Sequence, residues 1–195
     1  MINIEAVLYE KIKKIITSWY EDEIYAISFF VNSNEAYSFR GFSNVSNFSV
    51  SYNTEEDCDY ADDLDEDRWN YACWRQDEIP IVDTYDGNEE TELLFDWYKE
   101  NGIDNLGYEE DDCYNDDGEY TGKGPVGHYE LLTIAANVAN RLQKEGVISN
   151  HFNKQIPIIV HGLEYAWYDI EATKRANPNC EADLFLEAAE GLEFI

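Results

Sequence analysis

Four side chains in the last third of the chain have the types and spacing for acid/base or metal chemistry: His161, Glu164, Asp169 and Glu171. His161 closes the apolar run IPIIVHG (156–162), and strand ends commonly present side chains to a crevice. Glu164 falls within the first turn of the helix expected next. A histidine and a carboxylate so placed can ligate a metal or shuttle a proton, so a metal-dependent enzyme with a His161/Glu164 site is one reading. Against it, no second histidine is near in sequence, HExxH is absent, and Glu164 can equally serve the positive end of the helix dipole. The sequence contains no GxSxG, no GxxxxGKS/T and no GxGxxG, and GKGPVG (122–127) follows a polar loop where a phosphate-binding turn needs a strand. His128, just after it, is expected to cap a helix or lie at the surface. No catalytic residue is assigned, and no cofactor is expected.

The acidic runs EEDCDYADDLDED (55–67) and EEDDCYNDDGE (109–119) raise the question of calcium. An EF-hand loop needs oxygen ligands at positions 1, 3 and 5, glycine at 6 and glutamate at 12. With Gly118 sixth, Cys113 is first and Gly124 twelfth; with Gly87 sixth, Val82 is first and Leu93 twelfth. Both alignments fail. A non-standard divalent site at Asp111, Asp112, Asp116 and Asp117 stays open beside the plainer reading of solvated acidic loops. Cys58, Cys73, Cys113 and Cys180 form no CxxC pair and have no basic neighbour to lower a thiol pKa, so free thiols are expected.

The chain's 195 residues carry 42 Asp and Glu against 13 Lys and Arg, a formal charge of −29. That excludes most nucleic-acid binding and attraction to anionic membranes, which both require basic surface. The aromatic content, 15%, argues against disorder. No apolar run reaches the roughly 20 residues of a spanning helix, and the opening residues do not resemble a secretory signal, so a cytoplasmic location is expected. The charge is segregated: Glu55 to Glu119 holds 26 acidic and 3 basic residues, a local −23.

The elements that must position these residues follow from periodicity. Ile4, Leu8, Ile12, Ile15, Ile16 and Trp19 stripe one face of an opening helix. IYAISFFV (24–31) and YSFRGF (37–42), joined by NSNE, read as a hairpin, and FSVSY (48–52) as a third strand. RWNYACW (68–74) reads as a strand with Trp69, Tyr71 and Cys73 on one face, and 88–102 as a helix. A helix over 129–145, a strand buried on both faces at 156–162, a helix from Leu163 to about Ala176 and a short one at 181–190 complete the chain. The fold expected is α+β, a central mostly antiparallel sheet packed by helices, in one domain over 1–195 that includes the acidic segment 55–119.

The remaining candidate is a surface for a basic protein. Carboxylates attract such a partner from a distance, and aromatic side chains supply rigid contact. The expected contacts are Asp57, Asp59, Asp62, Asp63, Asp65, Glu66 and Asp67 in the first run, with Glu109, Glu110, Asp111 and Asp112 in the second. Trp74, out of phase with the inward Trp69, is the expected exposed anchor. The opening helix, EIYAISFF, RWNYACW and LEYAWYDIEATKRANP together resemble an uncharacterised bacterial family, domain of unknown function 4303, over nearly the whole chain. That resemblance implies a small intracellular bacterial protein and assigns no catalytic residues. In size and charge the chain is also similar to immunity proteins of bacterial toxin systems. The reading is an acidic immunity-type inhibitor of a basic partner such as a nuclease toxin, the alternatives being the His161/Glu164 enzyme and a domain whose acidity serves only solubility.

Overall fold

The computed structural model describes residues 2–107 and 112–192. The opening stripe forms α1 (Ile4–Ile16), whose start is capped by the Asn3 side chain accepting the Ala6 N–H at 3.1 Å. Two long strands follow, β1 (Ile24–Phe39) and β2 (Phe42–Thr54). They turn at Arg40 and Gly41, with φ of 50° and 86°, and not at NSNE. Two consecutive left-handed residues are what a tight two-residue hairpin needs, and glycine adopts that conformation without strain. NSNE instead continues β1, with Asn32 opposite Asn47 and Ser33 opposite Ser46. FSVSY therefore belongs to β2 and is no separate strand.

RWNYACW is helical where a strand was expected. Asp65 accepts the Asp67 N–H to start α2 (Glu66–Trp69), and Asn70 accepts the Ala72 N–H to start a 3₁₀ turn at Tyr71–Cys73. Short polar side chains that bond forward to the backbone favour such starts over extended chain. β3 (Ile79–Val82) and α3 (Glu89–Glu100) come next, then α4 (His128–Lys144), α5 (Val147–Phe152), β4 (Ile158–His161), α6 (Trp167–Ala176) and α7 (Asp183–Gly191). The sheet order is β3-β2-β1-β4, antiparallel except for β4, which runs parallel to β1. This is the α+β architecture, with a mostly antiparallel sheet, that the composition and periodicity imply. No helix among the described residues is long and apolar enough to cross a membrane.

Both faces of the sheet are covered. Ile27, Phe29 and Val31 alternate onto the face packed by α1, α3 and α4, while Ala26 and Phe30 face Trp69, Trp74 and α7 through Phe185. β4 is buried on both faces and lies at the sheet margin, so its outer backbone groups need partners that no strand supplies. Thr173 of α6 and Asn177, which follows its last residue, provide them. The Ile158 N–H donates to Asn177 Oδ1 at 2.9 Å and Asn177 Nδ2 donates to the Ile158 carbonyl at 2.7 Å. The Thr173 hydroxyl accepts from the Val160 N–H and donates to the Val160 carbonyl, each at 2.9 Å. The tail ATKRANP thus acts as a substitute strand edge. Replacing Asn177 with alanine strands two buried backbone groups and is expected to cost about 2–4 kcal/mol in denaturant unfolding, whereas Lys174→Ala on the exposed side of the helix should stay within about 0.5 kcal/mol.

Candidate functional site

The first acidic run leaves β2 at Thr54 and is tied down from its inner side. Asp57 Oδ2 accepts from the Thr54 N–H at 2.8 Å and hydroxyl at 2.7 Å. The buried Arg68 guanidinium grips Glu55 through two parallel bonds of 2.6 and 2.8 Å, donates to the Ala61 carbonyl at 3.3 Å and lies 4.2 Å from the centre of the Tyr25 ring. Its own carbonyl accepts from the Tyr25 hydroxyl at 2.5 Å and from Trp74 Nε1 at 2.8 Å, and Trp69 Nε1 donates to the Asp63 carbonyl at 2.6 Å. The pairing holds the Glu55 carboxyl below the usual carboxylate range and raises the already high pKa of Arg68. With the inner side so occupied, Asp59, Asp62, Asp63, Asp65, Glu66 and Asp67 are all exposed, and none of the six is ion-paired among the described residues. Asp57 lies 3.9 Å from Arg75.

Trp74 is not the exposed anchor. It is 5% exposed and packs edge-on against His161. Alternation holds only in a strand; in a 3₁₀ turn followed by extended chain both Trp69 and Trp74 reach the same aromatic cluster.

The second run lies elsewhere. Glu109, Glu110 and Asp111 fall outside the described residues. Asp112 accepts the Val126 N–H at 2.9 Å, and exposed Asp116 and Asp117 sit in a turn shaped by Asn115, whose Oδ1 accepts from the Asp117 and Glu119 N–H groups. The segment before it meets β2 at Asn44, whose Nδ2 donates to the Leu106 carbonyl at 3.3 Å, while the first run starts at Thr54. At about 3.3 Å per residue, roughly 30 Å of strand separates the two. The two runs therefore connect to opposite ends of β2. Among the described residues no group of three or more His, Cys, Asp or Glu side chains is placed to hold a metal ion.

His161 and Glu164 do not form an acid/base pair. His161 is fully buried, with Nε2 2.8 Å from the Ser28 hydroxyl and Nδ1 2.8 Å from the Gly162 carbonyl, between the rings of Phe30, Tyr71 and Trp74. The carbonyl requires a proton on Nδ1, so Nε2 accepts from Ser28 and the ring is the neutral tautomer. Burial takes its pKa down to about 4. Glu164 is exposed.

His128, expected at the surface or in a cap, is also buried, at the first residue of α4, with Nδ1 2.9 Å from the Ser46 hydroxyl. Burial takes its pKa to about 4 as well. It lines a cleft of about 430 Å³ beyond the C-terminal end of β4, together with Asn32 and Ser33 of β1, the loop Gly162–Ala166, and Tyr168 and Asp169 of α6. Asp169 is 1% exposed and its Oδ2 accepts the Ala166 N–H at 2.9 Å, closing the start of α6. Ser46 does not line the cleft, and a base with a pKa near 4 is poorly matched to proton abstraction at neutral pH. Asp169 was a candidate on the sequence, whereas His128 and the cleft itself come from segments distant in the chain.

The segments that carry the family resemblance meet in space: EIYAISFF contributes Tyr25 and Phe30, RWNYACW contributes Trp69 and Trp74, and LEYAWYDIEATKRANP contributes Tyr165, whose hydroxyl donates to the Trp69 carbonyl at 2.5 Å. No family model, curated protein or solved structure matches the chain.

Removing Arg68 leaves Glu55 with an uncompensated, partly buried charge. Arg68→Ala is expected to cost about 3–5 kcal/mol by urea unfolding, and Arg68→Lys should recover only part of it because an ammonium cannot make the paired bonds. The two histidines predict a pH dependence of defined sign. Their native pKa values lie below the unfolded value of about 6.5, so their contribution is complete above that pH and is lost as pH falls towards about 4, on the order of 3 kcal/mol for each. Falling pH also relieves repulsion among carboxylates, so the variants isolate the effect: urea midpoints of His128→Gln should change less between about pH 7 and about pH 4.5 than those of the unsubstituted protein.

Proposed function

We propose that this protein is an acidic binding module for a basic protein partner, with the carboxylates of residues 57–67 as its principal contact. The observation that carries the reading is that six exposed carboxylates lacking ion pairs among the described residues are displayed on a loop whose inner side is anchored by Arg68, Trp69 and Asp57. Holding like charges together in one shape opposes folding, and a cationic partner offsets that repulsion on binding. A fixed loop also loses less conformational freedom on association than a mobile one.

The specific form of the reading is an immunity-type inhibitor that occupies the phosphate-binding surface of a nuclease toxin, within the bacterial family that the sequence resembles. The free thiols of Cys58, Cys73 and Cys180 are in keeping with a reducing, cytoplasmic setting. The second run, around Asp112, Asp116 and Asp117, supplies a secondary contact under this reading. Binding is favoured over catalysis because both buried histidines are neutral and engaged by hydroxyls of the protein.

Cross-linking in the native host, followed by association kinetics with the purified partner, tests this. The partner should be basic, with an on-rate that falls about tenfold or more between about 0.05 M and about 0.5 M salt. Changing Asp59, Asp62, Asp63 and Asp65 together to Asn should lower the on-rate similarly at low salt while leaving the melting temperature equal or higher. An acidic partner, or an on-rate indifferent to salt, would refute the proposal.

A further inference from the structure

The cleft beyond β4 lies apart from the exposed carboxylates of 57–67, and its chemistry selects a ligand of its own. We propose that it binds a small organic cation through a guanidinium or primary ammonium group. Two of its lining side chains are carboxylates, Glu164 and Asp169, and among the described residues no lysine or arginine lines it. His128, with its pKa near 4, adds no positive charge at neutral pH. Asp169 is almost wholly withdrawn from solvent, and an opposite charge brought beside a desolvated carboxylate interacts more strongly than one at an exposed site. Tyr165 and Tyr168 bring aromatic surface to the same walls, which suits a delocalised cation. Asn32 and Ser33 supply neutral polar groups for the remaining donors.

Other ligand classes fit less well. The start of α6 would favour an anion, but its Ala166 N–H is already taken by Asp169, and phosphates or carboxylates would meet two negative groups with no basic residue to receive them. A metal ion needs several ligands at short range, and among the described residues no such group exists. The volume, about 430 Å³, is that of a site for a small organic molecule.

The position of the cleft bears on the source of the cation. Tyr165 on its wall bonds to Trp69, just after the first acidic run, and the nearby Trp167 packs against Tyr120, just after the second, their ring centres 4.5 Å apart. Between the two acidic runs, the cation can be a free molecule or an arginine side chain carried by a protein. The two sources share one chemistry and are separated by the choice of probe.

Calorimetric titration of the full chain with agmatine, and with arginine blocked at both ends, is the test. At least one should bind with a dissociation constant in the micromolar to sub-millimolar range, and the correspondingly blocked citrulline, a neutral isostere, at least about tenfold more weakly. Tighter binding of blocked arginine than of agmatine assigns the site to a protein side chain, and the reverse to a free amine. Glu164→Gln, at an exposed position, should weaken binding about tenfold, and Asp169→Asn, which keeps an oxygen for the Ala166 N–H, by more. The fourfold change of Asp59, Asp62, Asp63 and Asp65 to Asn should leave this binding unaltered, so failure here and failure of the proposed partner surface are read separately. Absence of binding by either cation, equal binding of citrulline, or indifference to both cleft variants would overturn the assignment.

Discussion

The structure turns on the desolvated guanidinium of Arg68. A stretch of nine carboxylates without a base repels itself and has little apolar side chain with which to join a core. Arg68 resolves this by binding the run at its first residue, Glu55, and again at Ala61, while its own carbonyl is held by Tyr25 and Trp74. The flanking aromatic rings lower the local dielectric, which strengthens the ion pair, and the paired bonds engage both terminal nitrogens of the guanidinium. Without that closure the second face of the sheet would lose both its cover and the loop that displays the exposed acids.

The same economy of polar groups recurs at the two buried histidines and at the margin of the sheet. His161 enters the aromatic cluster only because Ser28 and the Gly162 carbonyl complete its ring nitrogens, and His128 is engaged by Ser46. At the margin of the sheet, Thr173 and Asn177 answer the backbone groups of β4, so the edge is not left open to pair with another chain. These polar partners lie on strands and helices far apart in the chain, and they couple the two layers on either side of the sheet through bonds with defined geometry. A core held this way resists slippage of β4, because a shift of one residue would unpair Asn177 and turn His161 to the opposite face.

The two proposed sites on this frame differ in character. The surface at 57–67 is exposed, charged and supported from beneath, which suits long-range attraction of a large partner. The cleft beside α6 is concave and small, with one of its carboxylates largely removed from water, which suits recognition of a single group. The loop Gly162–Ala166 joins them, since Tyr165 contributes to the cleft wall and bonds to Trp69 beneath the acidic run. Occupation of one is thus mechanically adjacent to the other, although the carboxylates they present are distinct.

Several features were legible in the residues alone. The stripes of α1 and α4, the doubly buried IPIIVHG strand, the helix over 89–100 and the segregation of charge all depend on local periodicity or composition, which a chain expresses without reference to its neighbours. Other features were decided by contacts between distant segments. The hairpin turns at Arg40-Gly41 because that pair accepts left-handed backbone, while the polar NSNE is compatible with either turn or strand until β2 pairs with it. Trp74 and His161 read as exposed or reactive from sequence phase and position, and both are buried, because the sheet face onto which 68–74 folds is set by the whole assembly. Likewise the pairing of Arg68 with Glu55, thirteen positions away, and the gathering of His128 and Asp169 around one cleft have no local signature. Periodicity records which residues shun water, but which polar groups satisfy one another depends on tertiary proximity, and that arises only once the sheet has closed.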